Sequence, residues 1–374
     1  MIRIAFVIPT LDQSGAERQL TLLAEGLPRD RYEISVFALN RGGPYADRLR
    51  AQGISVTVLQ KRFRFDPLTW LRLRRALHQL QPDVVQSFLF SANSYIRLPG
   101  VCPQRSRIVV SERCVDSWKS TWQLQLDRRL LSRTHAMTAN SASVAEFYQS
   151  VGVLASLITV IPNGIPLVSE PPDRSYLRRE LGFSENERIV GYVGRLARQK
   201  RLEDVIWAFQ LLRQVVDSCR LVLIGDGPER DALALLAQKL DCRGQMVFAG
   251  HREDAYRLMQ GLDAFCLASE FEGMSNSLME AMSLGIPAVV SDIAPNRELI
   301  QHEQTGLLFP VGKAPELTRS LQRILNDSAS AQSMASAARQ YLQEFHSVEK
   351  MVASHCRLYE RVLNQPANAA VPAS

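Results

Sequence analysis

Residues 262–292 read LDAFCLASEFEGMSNSLMEAMSLGIPAVVSD, and the predicted fold can be built around them. An apolar run at 263–269 is followed by a glycine-containing loop, a short helical pattern and a second apolar run at 288–291. Apolar runs of this length without polar alternation are typical of strands buried on both faces, as in a parallel sheet covered by helices. The segment therefore predicts a strand, loop, helix and strand of an α/β domain.

Two glutamates in this segment are candidates for ligand binding. Glu272 lies in the loop, and Glu280 follows eight residues later in the predicted helix. Ligands of parallel sheets bind where strands end and helices begin, Gly273 allows close approach of the backbone, and the free N–H groups of residues 275–277 would face an anion. Two structural explanations stay open: Ser277 and Glu280 have capping-box spacing, and Glu272 could be a solvated loop carboxylate.

The composition is that of an ordinary globular protein with an uneven charge. The 374 residues predict two or three domains, with 46% hydrophobic and 22% charged residues. Residues 1–165 carry 21 Lys and Arg against 12 Asp and Glu, whereas the remainder carries 23 against 26. The first part is therefore expected to meet an anionic partner or surface. Nucleic acid is not expected, because no nucleic-acid-binding signature occurs.

The cysteines and the N-terminus favour a cytoplasmic protein. The six cysteines are scattered without paired spacing or neighbouring histidines, which argues against a zinc site or a disulfide framework and for reduced thiols. Residues 1–10 are apolar but lead directly into Pro9 and a polar loop, so they predict a buried first strand rather than a signal peptide. No apolar run approaches the ~20 residues of a membrane-spanning helix.

Strand and helix patterns alternate along both parts of the chain, which predicts two doubly wound α/β domains. The proline-rich residues 166–174 predict the linker. We predict a first Rossmann-like domain at 1–165, a second at 175–345, a C-terminal helix at 346–364 that returns to the first domain, and a disordered tail at 365–374. The predicted strands are 2–8, 34–39, 55–59, 84–86, 108–111, 135–140, 157–161, 189–193, 220–224, 246–248, 263–269, 288–291 and 306–309.

A basic helix is predicted at residues 67–80, after the cap Asp66. One of its faces is apolar, and its arginines lie elsewhere. These arginines are Arg72, Arg74 and Arg75. The helix is either a core-facing helix with a solvated basic face or a surface helix that contacts anionic lipid headgroups.

Most of the distinctive glycine and polar residues fall at predicted strand ends. In two facing Rossmann-like domains, these ends line a cleft between the domains. The residues are Gly15, Asn163, Gly164, Arg195, Lys200, 225–227, Gly250, His251 and 272–277. The sequence has no GxGxxG, Walker A or HExxH motif, which disfavours hydride transfer, P-loop hydrolysis and zinc protease chemistry.

This combination of motifs resembles the retaining, GT-B-fold glycosyltransferases of family 4, the glycosyl transferases group 1 family. The resemblance covers nearly the whole chain. Its most specific part is the family's EX7E motif, formed by Glu272 and Glu280. Further matches in the same order are the turn 161–164, residues 193–195 with Lys200, and residues 225–228.

The resemblance implies an enzyme that moves a sugar from a nucleotide-diphosphate sugar to a glycan or polyprenyl-diphosphate-linked acceptor in cell-surface polysaccharide biosynthesis. The first domain would bind the acceptor and the second the donor. Arg195 and Lys200 would hold the diphosphate and stabilise its growing charge, and Glu272 would contact the transferred sugar. The other implied donor-binding residues are Gly15, Asn163, Gly194, Gly225, Gly250, His251, Gly273, Met274, Ser275, Asn276 and Glu280, with Glu280 on the ribose hydroxyls.

Structural alternatives exist for three of these residues. Arg195 could be a surface arginine, Lys200 a helix-start lysine, and His251 a capping or packing residue. Because cations in the first turn of a helix oppose its dipole, a nearby anion explains Arg195 and Lys200 better. The resemblance implies retention of configuration, with the departing phosphate oxygen helping to take the acceptor's proton. No metal or other cofactor is expected, since the two cations neutralise the diphosphate and no Asp-x-Asp motif occurs.

The chain departs from the family pattern on the acceptor side. Many members carry a histidine just after the strand that corresponds to 84–86, where this chain has 86–88, Gln-Ser-Phe. The loop before the first helix has Ser14-Gly15 where a Gly-Gly pair is common. Candidate replacements for the histidine are Asn93, Glu112, Arg113 and Asp116. Two other functions stay open: a nucleotide-sugar 2-epimerase, and a scaffold that binds a nucleotide sugar without transferring it.

Overall fold

The computed structural model describes residues 1–63, 66–116, 119–167 and 173–365. The chain divides into a first unit, residues 1–164 with 348–374, and a second unit, residues 165–347. Residues 168–172 of the predicted linker and residues 366–374 of the predicted disordered tail lie outside the described residues.

The first unit is a parallel sheet flanked by helices. Its strands are β1 (Ile2–Thr10), β2 (Tyr32–Arg41), β3 (Ser55–Val58), β4 (Val84–Phe88), β5 (Arg107–Glu112), β6 (Ala136–Ala139) and β7 (Ile158–Val160). Its helices within residues 1–164 are α1 (Gly15–Gly26), α2 (Pro44–Ala51), α3 (Pro67–Leu80), α4 (Leu89–Ile96), α5 (Thr121–Arg129) and α6 (Ala142–Ser150). Within the described residues the strand order is β3-β2-β1-β4-β5-β6-β7. Successive strands are added towards one edge of the sheet up to β3 and towards the other edge from β4 onward, as in doubly wound folds.

The second unit repeats this architecture. Its strands are β8 (Arg188–Val193), β9 (Cys219–Ile224), β10 (Met246–Gly250), β11 (Ala264–Leu267), β12 (Ala288–Ser291) and β13 (Leu307–Phe309). Its helices are α7 (Ser175–Leu181), α8 (Leu202–Leu212), α9 (Arg230–Lys239), α10 (Ala255–Met259), α11 (Asn276–Ser283), α12 (Ala294–Arg297), α13 (Ala314–Asn326) and α14 (Ser328–Phe345). Across the described part of this unit the parallel strands follow the order β10-β9-β8-β11-β12-β13.

The cores explain why the strands read as continuous apolar runs. Successive residues of β1 point to opposite faces of the sheet, so Ile4, Phe6 and Ile8 enter one core while Ala5 and Val7 enter the other. All five are fully buried. A sheet covered by helices on both faces therefore needs apolar residues at consecutive positions.

The last helix, α15 (Val348–Leu363), belongs to the first unit and packs against α1. Its buried face enters the same core as β1, and the hydroxyl of Tyr359 hydrogen-bonds Gln86 Oε1 at 2.5 Å on β4. The first unit is thus built from two separate parts of the chain.

The thirteen strands predicted from the sequence all occur in the described residues, with ends that differ by at most two residues. The sequence patterns did not predict α12, which is only four residues long. Among the described residues, no helix has both the length and the apolar character required to cross a bilayer.

Candidate active site

The acids of the EX7E motif lie at the carboxyl end of β11 and on α11. Ser275 is the N-cap of α11, and its hydroxyl accepts a hydrogen bond from the N–H of Leu278 at 3.3 Å. The alternative of a capping box formed by Ser277 and Glu280 is therefore wrong, because Ser277 already lies inside the helix. Glu280 is buried in the second turn, with 8% of its surface exposed. Burial of a carboxylate is costly, so a plain solvated role does not fit it.

Lys200 and Glu272 meet in the second unit, although 72 residues separate them. Lys200 Nζ donates to Glu272 Oε1 at 2.5 Å, and the hydroxyl of Ser269 donates to the same oxygen at 2.7 Å. Gln199 Nε2 donates to the carbonyl of Phe271 at 2.7 Å, which ties the loops after β8 and β11 together. Glu272 is buried, so the alternative of a solvated loop carboxylate is also wrong.

Arg195 lies in the same loop as Lys200. Its side chain is exposed and forms no hydrogen bond or ion pair that involves the described residues. Its backbone is held in place because the hydroxyl of Tyr192 donates to the carbonyl of Arg195 at 2.9 Å. The guanidinium is therefore available to an anion, and it belongs to the loop that also carries Lys200.

The dipole argument for Arg195 and Lys200 is wrong, because neither residue lies in the first turn of α8. Lys200 ends a 3₁₀ turn, Arg198–Lys200, and the first turn of α8 carries the acids Glu203 and Asp204 instead. These acids favour the helix dipole, so no anion is needed to explain the sequence there. What distinguishes Lys200 is its position against Glu272.

Three glycines hold the ends of neighbouring strands together. Gly194 N donates to the carbonyl of Ile224 at 2.9 Å, and Gly225 N donates to the carbonyl of Gly250 at 2.8 Å. Gly225 has a φ of +135°, and a Cβ there would lie 1.9 Å from the carbonyl oxygen of Gly194. Only glycine fits this position. The loops after β8, β9 and β10 are thereby brought to one edge of the sheet. His251, which follows Gly250, is exposed at this edge.

The remaining predicted residues divide between the two units. Gly273, Met274 and Ser275 are buried at the start of α11, and Asn276 is half-buried there. In the first unit, Gly15 begins α1 and Asn163 lies in the turn after β7. The side chain of Gln19 on α1 pairs with both the N–H and the carbonyl of Gly164 at 2.9 Å, so this turn is fixed to α1.

Among the candidate acceptor-side residues, Asn93, Glu112 and Asp116 are buried and Arg113 is half-buried. Gln86, Ser87 and Phe88 are buried, and the hydroxyl of Ser87 donates to Asn93 Oδ1 at 2.6 Å. Asn93 Nδ2 in turn donates to Glu112 Oε1 at 2.9 Å. Arg113 hydrogen-bonds Asn163, and burial lowers the pKa of its guanidinium to about 10.

A buried charge network follows β5. Lys119 is fully buried against three carboxylates: Glu112 at 3.6 Å, Asp116 at 3.0 Å and Asp127 at 3.1 Å. Burial raises the pKa of Glu112 to about 7, although Lys119 opposes this shift. Burial alone would lower the pKa of Lys119, but the carboxylates of Glu112, Asp127 and Asp116 outweigh it and raise that pKa. The network links Glu112, at the end of β5, to Asp127 of α5 through Lys119, and it does not present an open acid or base.

Glu17 is a buried acid that the sequence analysis did not single out. Its carboxylate accepts hydrogen bonds from Thr10 at 2.9 Å and from Ser14, so it fixes the loop before Gly15. The S-x-x-E spacing of Ser14 and Glu17 could have indicated it. Within the part of the chain that the structure describes, no three His, Cys, Asp or Glu side chains come together as they would around a metal ion.

Family comparisons cover almost the whole chain. The family model for Glycosyltransferase Family 4 matches residues 13–169, and that for Glycosyl transferases group 1 matches residues 173–341. The chain is 25% identical over 361 residues to a Campylobacter jejuni α-1,4-N-acetyl-D-galactosaminyltransferase that acts on a diphospho-undecaprenol-linked glycan, covering 92% of this chain and 95% of that enzyme.

Another relative matches more closely over a shorter region. The chain is 31% identical over 199 residues to the N-acetyl-α-D-glucosaminyl L-malate synthase of Bacillus anthracis, covering 53% of this chain and about half, 52%, of that enzyme. Among solved structures, Anabaena HepE in complex with UDP-glucose superposes with a TM-score of 0.85 at 24% identity, over 96% of this chain and 100% of that chain. This similarity shows a shared GT-B fold. With both family models matched in succession, the chain belongs to family 4 of the glycosyltransferases, in the glycosyl transferases group 1 family, and is a glycosyltransferase.

Proposed function

We propose that this glycosyltransferase takes its sugar from a nucleotide-diphosphate sugar and transfers it, with retention of configuration, to a glycan or polyprenyl-diphosphate-linked acceptor of cell-surface polysaccharide biosynthesis. The observation that carries the proposal is the contact of Lys200 with Glu272, three residues before the N-cap of α11. Arg195 lies in the same loop as Lys200, and its side chain is exposed and bonds to none of the described residues. Cations and helix N-termini in one place suit a diphosphate leaving group.

The charged residues of the second unit can be given separate roles in this reaction. Arg195 and Lys200 would neutralise the diphosphate as the bond between the anomeric carbon and the phosphate oxygen breaks. Glu272 would accept hydrogen bonds from hydroxyls of the transferred sugar, and Glu280 from those of the ribose. A bound diphosphate would compete with Glu272 for Lys200, so donor binding would loosen the ion pair.

Retention without a protein base is consistent with the burial of Glu112 and Asp116, the two acids among the candidate acceptor-side residues. The acceptor oxygen would attack the anomeric carbon on the face that the phosphate leaves, and its proton would pass to the departing phosphate oxygen. In this scheme the protein orients and neutralises the reactants, and Arg195 and Lys200 serve in place of a metal ion.

Two relatives motivate the choice of substrates. HepE was solved with UDP-glucose, and the Campylobacter enzyme is named for a diphospho-undecaprenol acceptor. An acceptor linked to a polyprenyl diphosphate would place this chain at the inner face of a membrane, as a cytoplasmic protein on an anionic surface.

The test is slow hydrolysis of UDP-, GDP- and ADP-sugars, followed by proton NMR of the products. Release of free sugar with the donor's anomeric configuration is expected. Inverted product would overturn the retaining mechanism, interconversion of the donor would identify an epimerase, and saturable binding without turnover would identify a scaffold. The variant Glu272→Gln should lower the rate of donor hydrolysis about 10²-fold or more.

A further inference from the structure

The first unit has a leucine in a strained backbone conformation where one of its central strands ends. Leu89 follows β4 directly and has a φ of +70°, in the left-handed region. Among the described residues, the other non-glycine residues with a positive φ are all polar or charged. Left-handed backbone is costly for a bulky apolar residue and is concentrated at sites where ligands bind. The conformation of Leu89 therefore points to a function for the start of α4.

Leu89 also lies where the order of the strands changes. Strand β1 pairs with β2 on one side and with β4 on the other, so the chain crosses β1 when it passes from β3 to β4. Ligands of doubly wound sheets bind outside the carboxyl ends of the strands at this point. Because β4 runs parallel to β1 and ends at Phe88, the first turn of α4 borders that crevice.

Two aromatic rings lie at the start of α4 and next to it. The rings of Phe90 and Trp122 pack edge-to-face with centroids 6.0 Å apart. Phe90 is half-buried and also contacts Lys119, whose Nζ lies 5.1 Å from the centre of the ring. Trp122 is 41% exposed, although a capping box fixes the start of its helix, α5. We call Leu89, Phe90 and Trp122 the β4 platform.

Polar groups border the β4 platform. Lys61 Nζ donates to the hydroxyl of Ser91 at 3.1 Å, and Ser91 follows Phe90 in α4. The charge of Lys119 is compensated by three buried carboxylates, so this lysine does not by itself attract an anion. The surroundings of the two rings thus combine an apolar surface with a hydroxyl group and an ammonium group.

This combination suits a pyranose ring. The C–H groups on one face of a pyranose form an apolar patch that packs against aromatic rings, whereas its hydroxyls project around the rim. Ligand sites are typically lined by apolar and aromatic side chains, with a few polar groups that fix the orientation of the ligand. A hydrocarbon chain would make no use of Lys61 and Ser91, and a small carboxylate would make no use of the rings.

We propose that the β4 platform binds a sugar ring of the acceptor, with the apolar face of the sugar against Phe90 and Trp122 and its hydroxyls towards Lys61 and Ser91. This proposal rests on the proposed function, because it assigns the bound sugar to the acceptor of the transfer. The platform selects the acceptor by the shape of its ring and the positions of its hydroxyls. Charge on the acceptor is not required for this contact.

Fluorine NMR of the full chain labelled with 5-fluorotryptophan tests the proposal. The chain has four tryptophans, and substitution of each by phenylalanine assigns its signal. The probes are the methyl α-glycosides of glucose, galactose, N-acetylglucosamine and N-acetylgalactosamine. At least one probe should shift the Trp122 signal saturably, with a Kd of about 1–10 mM. Trp207 of α8 is the matched control, because it is 47% exposed but lies in the second unit, and its signal should not move.

Substitutions test the other two residues of the platform. Phe90→Ala removes one ring and should weaken glycoside binding about tenfold. Leu89→Asn introduces a residue that tolerates left-handed backbone, so it should weaken binding about fivefold without lowering the unfolding temperature. Trp207→Ala should bind the glycosides like the parent chain. Thermal unfolding checks that each variant folds, and Phe90→Leu replaces Phe90→Ala if the alanine variant does not fold.

Several results would overturn the proposal. These are a Trp122 signal that no glycoside shifts, an equal shift caused by 1,6-hexanediol or L-malate, and unchanged glycoside affinity in the Phe90 or Leu89 variant. Hydrolysis of nucleotide sugars separates this proposal from the proposed function. Hydrolysis without glycoside binding leaves the proposed function intact, whereas glycoside binding at Trp122 without hydrolysis leaves the β4 platform intact as a sugar site.

Discussion

The Lys200–Glu272 pair places two groups of opposite charge where a donor would be held. Removing Lys200 or Glu280 should weaken donor binding about 10- to 100-fold, because each would lose charge-assisted hydrogen bonds. Calorimetry with the donor that hydrolysis identifies, starting from UDP-sugars, measures this for Lys200→Ala and Glu280→Ala. Arg198→Ala is the control, since Arg198 is an exposed cation of the same turn. If both variants bind like the parent, the assignment of the donor pocket is wrong.

Glu112 should make the stability of the fold depend on pH. Its pKa is raised by burial from an ordinary value of 4.5 to about 7. A carboxyl group of this kind stabilises the fold while it is protonated, and that contribution is lost as the pH rises through the folded-state pKa. Glu112→Gln stays neutral, so it should gain stability relative to the parent by on the order of 1–3 kcal/mol between pH 4.5 and 7.

Urea unfolding at several pH values measures this difference. Burial lowers the pKa of His135 and His355 to about 4, so these histidines make both proteins more stable as the pH rises from 4 to 6.5. Their contribution cancels in the comparison of variant and parent. Glu33→Gln, which changes an exposed glutamate of β2, is the control. A difference that does not change with pH would contradict the titration of Glu112.

Helix α11 depends on one capping serine. Ser275→Ala removes the acceptor for the N–H of Leu278 and should destabilise the second unit by about 1 kcal/mol. Ser277→Ala, inside the helix, should change stability by less than about half of that, because alanine favours the helix. Thermal unfolding of the two variants checks the order. A larger effect at Ser277 would restore the capping box that the structure rejects.

Helix α15 completes the first unit. Its buried residues Met351, Val352, Leu358, Tyr359 and Val362 belong to the core shared with β1. Each such side chain contributes about 1.5–3 kcal/mol, so losing all five removes an amount comparable to the whole stability of a typical domain. Truncation after Ser347 should therefore unfold the first unit, measured by amide hydrogen exchange, while the second unit, residues 165–347, stays protected. Truncation after Gln365 is the control. Full protection of β1 in the shorter chain would refute the role of α15.

Local patterns were sufficient for the strands and for naming candidate site residues. The apolar runs predicted all thirteen strands of the described chain, since a strand buried on both faces must be apolar at consecutive positions. Glu272 and Glu280 were singled out as candidates by their spacing, and the strand-end glycines by their residue type. The structure shows a reason for one of them, as Gly225 has no room for a Cβ.

The sequence by itself determined the α/β class, the two-part organisation and the residues of the motifs, because these depend on short-range periodicity and on residue type. It did not determine that Lys200 meets Glu272, that Glu112 lies beside Lys119, or that Leu68 and Leu71 stay exposed on a helix whose other side is buried. Such outcomes depend on contacts between residues far apart in the chain and on which face of each element the core covers. These contacts and faces cannot be predicted from local spacing, because they depend on how the elements pack into layers.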